Sequence, residues 1–361
     1  MMRYIGGKSN LLKDIGNLIA QYASEANRII DIFSGSGVVA AFFKNSGYDV
    51  VGNDVLYFAY VLSRGSTALN DIPVFKKLGI KFPIDYLNGL TLEASGFQLE
   101  DCFMYQNYSP HDKITRMYFQ NDNAIKIDII RMTVEKWKSA NLINEDEYFY
   151  LLASLIAAVP YVSNITGVYG AYLKHWDKRT YNPLRLANPI NICNRGSAVF
   201  YNQDCDSLLP TISADVLYAD PPYNSRQYLP NYHILETIAR YDCPDIHGVT
   251  GMRNYGEEYK SAFCSRNKVE SAFKRMIQNA NVRYVVISYN SEGLLSKEQL
   301  SKICLEFAVK NSFRCREIPY RSYSNVGTKL RSVNELLFFF EKAQQAKLGS
   351  ASPVIGNSRV F

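Results

Sequence analysis

The sequence has few of the residues that build metal sites and disulfide frameworks. Its seven cysteines are an odd number with no CxxC pair among them, and only four histidines accompany them. We therefore predict neither a zinc site nor a disulfide framework, and we expect the cysteines to be reduced packing residues. No internal repeat is found either.

Long hydrophobic runs are also scarce. The stretch MMRYIGGKSNLL lacks the apolar centre of a signal peptide, and the longest apolar run, YFYLLASLIAAVPYV, is too short to span a bilayer and contains Pro160. We therefore expect a cytoplasmic protein without membrane contact. A length of 361 residues is comfortable for two domains, and a net charge of +6 permits a polyanionic partner without requiring one.

Helix and strand signals alternate at both ends of the chain and predict an α/β, Rossmann-like fold. RIIDIF and YDVVGND are strand candidates on either side of a helix, and SAVFYN, ADVLYA, RYVVISYN and VNELLFFF follow from residue 197 onward. Between them the chain is tyrosine-rich and mostly helical, with its clearest helix after Asn144. We predict a core formed by residues 1–60 and 195–342, an insert at 61–194 and a flexible tail at 343–361.

A glycine turn, DIFSGSGVVA, follows the first predicted strand. Gly35 and Gly37 allow a tight turn and close approach of a nucleotide to the next helix, and Asp54 ends the following strand, where it can accept hydrogen bonds from a ribose. Alone, this segment fits NAD as well as S-adenosylmethionine. It also fits a plain tight turn beside a solvated strand end.

A second turn, YADPPYNSRQY at residues 218–228, ends a buried strand, because two prolines cannot continue it. An exocyclic adenine amine is a poor nucleophile, and the Asp220 carboxylate and Pro221 carbonyl would hold its two N–H bonds. Pro222 stiffens the turn, and Tyr223 would stack on the base. The alternative is a helix-capping Asp220 and a core Tyr223. A dehydrogenase usually needs an acid such as histidine, and none lies beside these motifs.

The motifs RYIGGKSNLL, DIFSGSG, GND and ADPPYNSRQY, in this order, resemble the Dam-like (alpha-class) family of DNA adenine N6-methyltransferases. The resemblance implies an S-adenosylmethionine-dependent enzyme of a restriction-modification system, for which a cognate restriction endonuclease is a candidate partner. Its implied cofactor-binding residues are Tyr4, Lys8, Phe33, Gly35, Gly37, Asp54, Asp204 and Asp220. An ordinary strand-end aspartate is the alternative at Asp204, and a solvent-reaching lysine and a packed ring are the alternatives at Lys8 and Tyr4.

The insert is expected to recognise double-stranded DNA, since the catalytic turn cannot read sequence. SNITGVYGAYLKHWDKRTYNPLRLAN, residues 163–188, combines glycines, aromatic rings and cations, which suits a loop or hairpin entering a groove. The alternative is a solvated basic loop. With Arg226 after the proline turn, the predicted DNA-binding residues are Tyr169, Tyr172, Lys174, Lys178, Arg179, Arg185 and Arg226.

The combined prediction is a metal-independent, site-specific DNA adenine N6-methyltransferase with Asp220, Pro221, Pro222 and Tyr223 as its catalytic residues. Two alternatives remain open from the sequence. An RNA adenine or guanine methyltransferase would share both turns, and a DNA-binding module without catalysis would retain the fold. The sequence does not give the DNA recognition site, and cytosine amines are reachable by the same chemistry.

Overall fold

The computed structural model describes residues 7–321 and 332–343 and has a β-sheet at its centre. Its strands are β1 (Arg28–Asp31), β2 (Asp49–Asn53), β3 (Ala198–Tyr201), β4 (Val216–Ala219), β5 (Ile246–His247), β6 (Met252–Arg253), β7 (Tyr284–Asn290), β8 (Arg314–Arg321) and β9 (Ser332–Glu341). Seven of them form one sheet in the order β3-β2-β1-β4-β7-β9-β8, while β5 and β6 form a separate hairpin. Tyr4 and most of the predicted tail lie outside the described residues.

The sheet is mostly parallel, as the alternation of helices and strands predicted. β3, β2, β1, β4 and β7 pair in parallel, and β9 pairs antiparallel with both β7 and β8. Strands β4 and β7 are buried along their whole length, which explains their continuous apolar sequences. β2 and β3 are neighbours although most of the helical part of the chain lies between them; Asn53 pairs with Tyr201. The predicted α/β, Rossmann-like fold is confirmed.

Helices cover both faces of the sheet and form a second packed body beside it. They are α1 (Leu12–Tyr22), α2 (Val38–Asn45), α3 (Tyr57–Arg64), α4 (Pro83–Gly89), α5 (Leu92–Ser95), α6 (Phe103–Tyr108), α7 (Asn121–Ser139), α8 (Glu145–Ala158), α9 (Cys205–Leu208), α10 (Leu229–Arg240), α11 (Val269–Asn279) and α12 (Lys297–Phe307). Apolar residues of α1 and α2 pack on one face of the sheet, and those of α11 and α12 pack on the other.

The helical body has its own core, which α3 and α10 share with α6, α7 and α8. The helix predicted after Asn144 is α8, which Asn144 caps through a reciprocal capping box with Glu147. At the end of α3, a Cβ on Gly65 would lie 2.0 Å from the carbonyl oxygen of Phe149 on α8, so only glycine permits this approach. Because α10 follows the proline turn directly, the helical body is joined to the strand end that carries Asp220. The division into core, insert and tail stays a prediction.

In the described parts of the chain, no helix combines the length and the apolar character needed to cross a membrane.

Candidate active site

Lys8 contacts two carboxylates that lie more than a hundred residues apart in the chain, one in the proline turn and one on β9. Its Nζ lies 2.9 Å from Asp220 Oδ1 and 2.7 Å from Glu335 Oε1. The side chains of Lys8 and Glu335 are almost fully buried, whereas that of Asp220 is 20% exposed. Ser288 on β7 donates a further hydrogen bond of 3.0 Å to Glu335. The lysine of the amino-terminal motif therefore directly contacts the acid of the proline turn.

Burial and charge shift the Asp220 carboxyl group. Removal from water raises the pKa of Asp220 to about 6, Lys8 opposes this rise, and Glu335 adds to it. Asp220 is therefore ionised at neutral pH but close to titration. An ionised carboxylate with an exposed part is suited to accept a hydrogen bond from an incoming N–H group.

The glycine turn is locked onto the end of β2 by Asp54. Gly35 donates its backbone N–H to Asp54 Oδ2 at 2.8 Å, and Leu56 donates to Oδ1 at 2.9 Å. Gly35 and Gly37 have φ of 50° and 73°, in the left-handed region that glycine favours, and Gly37 is the N-cap of α2. Burial raises the pKa of Asp54 to about 6, even though these two backbone donors lower it. The turn and the acid are thus one rigid unit.

A pocket brings the two predicted turns together at the carboxyl ends of β1, β2 and β4. It is lined by Phe33, Gly35, Asp54, Val55, Leu56, Asp220, Pro222, Gln227, Tyr228, Leu229, Tyr259 and Ser261. In an open α/β sheet this edge is where ligands bind. Tyr223 is half-buried beside the pocket and its carbonyl accepts from Leu294 N–H at 2.9 Å, while Pro221 is buried.

Asp31, the last residue of β1, is a buried acid that the sequence argument did not single out. It is 1% exposed, and neither of its carboxylate oxygens has a hydrogen-bond partner among the described residues. Burial, followed by repulsion from Asp220 and Asp54, raises its pKa well above the ordinary value. An unpartnered buried carboxylate at this position would be stabilised by a cationic ligand group.

Asp204 lies apart from the pocket. Its carboxylate caps the short helix α9 by accepting from Asp206 N–H at 2.9 Å, and the residue is exposed. Among the described residues the pocket lining does not include it. This local cap fits the strand-end aspartate given as the alternative, and the contact of Asp204 with a cofactor stays a prediction.

The predicted DNA-binding residues fall into two groups. Lys174, Lys178, Arg185 and Arg226 are exposed, and Tyr172 is partly buried. Tyr169, in contrast, is 1% exposed and its hydroxyl lies 2.9 Å from Ser163 Oγ. The Tyr169 ring is therefore packed in the core of the helical body, and its contact with DNA stays a prediction.

The side chain of Arg179 is also less accessible to DNA than the sequence suggested. Its guanidinium donates to the Ile165 carbonyl and lies 3.7 Å from Asp177, and its side chain is 28% exposed. No strand occurs within residues 163–188, where the chain forms a loop with one short 3₁₀ turn at Lys178–Tyr181. Of the two expected forms, loop or hairpin, the structure has the loop.

Several residues of the site escaped the sequence argument because they come from distant segments. Asp31 and Glu335 had a signal, since each is a carboxylate next to a run of apolar residues in its strand. Gln227, Tyr228 and Tyr259 had none, because polar and aromatic residues are common in loops. Their place in the pocket follows from tertiary packing alone.

A mostly parallel sheet with a glycine turn after β1, an acid after β2 and an acid-proline turn after β4 defines the class of Rossmann-like methyltransferases. The model of the D12 class N6 adenine-specific DNA methyltransferases matches residues 4–303. The chain belongs to this family, which confirms the resemblance predicted from its motifs.

Three relatives illustrate the match. The chain is 45% identical to type II methyltransferase M.FokI of Planomicrobium okeanokoites over 94% of its own length and 53% of the relative. It is 39% identical to modification methylase StsI of Streptococcus sanguinis, over 99% of this chain and 54% of the relative. It is 34% identical to type II methyltransferase M.NlaIII of Neisseria lactamica, over 94% of this chain and 99% of the relative. The chain thus spans about half the length of the first two relatives and nearly all of the third.

Proposed function

We propose that the chain transfers a methyl group from S-adenosyl-L-methionine to N6 of an adenine in duplex DNA at a specific sequence. The observation that carries the proposal is the pocket in which the glycine turn and Asp54 face Asp220 and Pro222. Family membership supports the same chemistry. The relatives named as type II methyltransferases and modification methylases support a role in restriction-modification, with a cognate endonuclease as a proposed partner.

The residues around the glycine turn fit the proposed cofactor. The unpartnered Asp31 carboxylate suits the ammonium group of its amino-acid end, and the locked Asp54 suits its ribose. A Cβ on Gly37 would lie 2.6 Å from Ser63 Oγ, so the turn keeps its close backbone path only with glycine. When bound, S-adenosylmethionine supplies an electrophilic methyl group on its sulfonium. Lys8 and Phe33 complete the proposed cofactor site within the described residues.

The proline turn would orient the target amine. Ionised Asp220 accepts one N–H of the flipped adenine, the Pro221 carbonyl accepts the other, and Tyr223 stacks on the base. This pair of acceptors favours the pyramidal nitrogen that attack on the methyl carbon requires. As the N–C bond forms, the bond between the methyl carbon and sulfur would break, its electron pair would stay on sulfur, and S-adenosylhomocysteine would leave as a neutral thioether. Asp220 would then receive the proton released from the methylated amine. Lys8 holds the Asp220 carboxylate in place through their 2.9 Å contact.

The helical body would hold the duplex while the base is out of the stack. A base inside a duplex cannot be methylated, so DNA must be bound outside the pocket as well. The exposed cations Lys174, Lys178 and Arg185 on the body, and Arg226 beside the pocket, are proposed to contact DNA. We retain the proposed division into a catalytic core, 1–60 and 195–342, and a recognition insert, 61–194. The cytoplasmic location stays a prediction.

The experiment is transfer of labelled methyl from S-adenosylmethionine to mixed-sequence duplex DNA and, in a parallel reaction, to RNA, followed by digestion to nucleosides. We expect N6-methyladenine from the wild type and a loss of at least about a hundredfold in Asp220→Ala, because one acceptor of the amine is removed. Asp206→Ala is the matched control, since this acid lies on α9 outside the pocket lining. Label in N4-methylcytosine or in RNA, with unmodified DNA adenine, would contradict the proposal and favour the alternatives.

A further inference from the structure

The segment that carries Tyr259 crosses the pocket and is fastened from two sides. On one side, the Gln227 side-chain amide donates to the Ser261 carbonyl at 3.3 Å and accepts from the Ser261 N–H at 2.9 Å. Cys264 Sγ contacts the Arg226 carbonyl at 3.3 Å nearby. The segment is therefore bound to the chain that immediately follows the proline turn.

On the other side, the guanidinium of Arg240 lies close to two aromatic rings. Its carbon is 5.7 Å from the centre of the Tyr259 ring and 4.9 Å from that of Tyr57. Both distances are within the range of cation–π attraction, and a planar guanidinium is well suited to stack against rings. Tyr57 begins α3, three residues after Asp54. Arg240 therefore links the pocket segment to the acid that locks the glycine turn.

A buried carboxylate fixes this arginine. Glu236 is fully buried, its Oε1 lies 2.7 Å from Arg240 Nε, and its two oxygens also accept from the N–H groups of Tyr57 and Phe58 at 3.1 and 3.0 Å. Glu236 thus caps α3 and orients Arg240 with the same carboxylate. The arrangement joins three parts of the pocket: the end of β2, the helix after the proline turn, and the segment with Tyr259.

We propose that Arg240 is a positioning residue for methyl transfer, which holds the Tyr259 ring as a wall of the pocket through the Glu236–Arg240 pair. The inference rests on the proposed function, because it concerns the geometry of that same pocket. Tyr259 lines the pocket directly, whereas Arg240 acts through it. A displaced ring widens the pocket, so the cofactor and the target amine are held less closely in line.

The test measures kcat and KM for duplex DNA in Arg240→Gln, Tyr259→Ala and the double variant. We expect each single change to lower kcat by about tenfold to a hundredfold, and the double variant to be no slower than the slower single one. Tyr259→Phe is expected to retain near wild-type kcat, since the ring and not the hydroxyl forms the wall. Arg240→Lys is expected to recover part of the loss, since it keeps the charge but not the planar stacking.

Arg64→Gln is the matched control. Arg64 also pairs with a carboxylate, Asp146, and its guanidinium carbon lies 5.5 Å from the Phe149 ring, with a side-chain exposure of 24% against 27% for Arg240. Equal losses in Arg64→Gln and Arg240→Gln, additive losses in the double variant, or an unchanged kcat in Arg240→Gln would each overturn the inference. A wild type that methylates no DNA would instead overturn the proposed function, and the inference with it.

Discussion

At the scale of single residues, Lys8 stabilises two carboxylates that would otherwise repel each other. With Lys8→Met, Asp220 and Glu335 lose their shared cation, and we expect the free energy of unfolding at neutral pH to fall by about 3 kcal/mol. The loss should shrink as pH is lowered, because protonation relieves the repulsion. Urea unfolding between pH 5 and 8 measures both effects.

Lys44 provides the control for this change. It is also buried, but within the described residues its hydrogen-bond acceptors are the carbonyls of Thr67 and Leu69, each at 2.8 Å, and not carboxylates. Lys44→Met should therefore destabilise the protein without leaving an unpaired carboxylate, and by a similar amount at pH 5 and pH 8. If the two variants had the same pH dependence, Lys8 would not stabilise the pair of acids.

The two titrating acids of the pocket predict an acidic limb in the activity profile. The pKa values of Asp220 and Asp54 are both raised to about 6, mainly by burial. Because Asp220 must be ionised to accept the amine, kcat/KM should fall by about tenfold per pH unit and per group below pH 6. In Asp54→Asn one of the two titrating groups is removed, so the acidic limb should lose the slope of about tenfold per pH unit that this group contributes. A flat profile from pH 7 to 5 would show that neither carboxylate needs its charge.

The same shifts act on stability with the opposite sign. A carboxyl group whose pKa is raised in the folded state favours folding when it is protonated, so this contribution is present at low pH and is lost as pH rises through about 6. As pH rises towards 6, ionisation of these acids therefore lowers the free energy of unfolding while it raises kcat/KM. The proposed methyl transfer requires both carboxylates to be ionised, although their ionisation lowers the stability of the fold.

At the scale of elements, the close approach of α3 and α8 depends on Gly65. Gly65→Ala would place a methyl group against the Phe149 carbonyl, and we expect a loss of about 1–3 kcal/mol in the free energy of unfolding. Gly89→Ala is the control, because a Cβ there meets nothing within 4 Å and its φ is not positive. That change should be neutral or should stabilise by about 0.5 kcal/mol. If the two variants unfold in denaturant with equal slopes, the difference between their midpoints measures the difference in their free energies of unfolding. Equal midpoints would refute the prediction.

The elements also show what the sequence could predict. β4 and β7 are continuous apolar runs, because parallel strands are covered on both faces, and both were predicted. β8, with the sequence RCREIPYR, was missed, because an edge strand alternates charges and tolerates Pro319. α7 was missed too, since Asp128 and Arg131 are buried on it and break the apolar period.

In the candidate site too, some residues could be predicted from the sequence and others could not. Gly35, Asp54 and Asp220 were predicted because each lies in a short local motif whose chemistry can be read from adjacent residues. Glu335 and Tyr259 were not, because their partners lie far away in sequence and only the folded chain brings them near Asp220. Local motifs therefore predict the groups that are proposed to react, whereas tertiary packing determines the groups that contact them.

At the scale of the whole molecule, DNA affinity should depend on salt through the exposed cations of the helical body. Lys174→Ala and Lys178→Ala should each reduce the slope of log affinity against log salt by about 1, if each lysine neutralises one phosphate. Lys310→Ala is the control, since this exposed lysine precedes β8 at the opposite edge of the sheet from the pocket. Titration of labelled duplex at several salt concentrations gives the slopes. If Lys174→Ala and Lys178→Ala had the same slope as the control Lys310→Ala, neither lysine would contact a phosphate of the DNA.

The pairing of β2 with β3 also bears on how the chain acquires its structure during synthesis. β2 cannot pair through Asn53 until Tyr201 of β3 has been synthesised, and β4, the other partner of β1, is made still later. The first βαβ unit therefore leaves the ribosome with unpaired edges on both sides. The part of the helical body that precedes β3, which contains α3 to α8, can begin to fold meanwhile and shorten the loop that β3 must close, and α10 completes its core after β4 has been made. Its stability therefore limits the time for which the nascent sheet is exposed to aggregation.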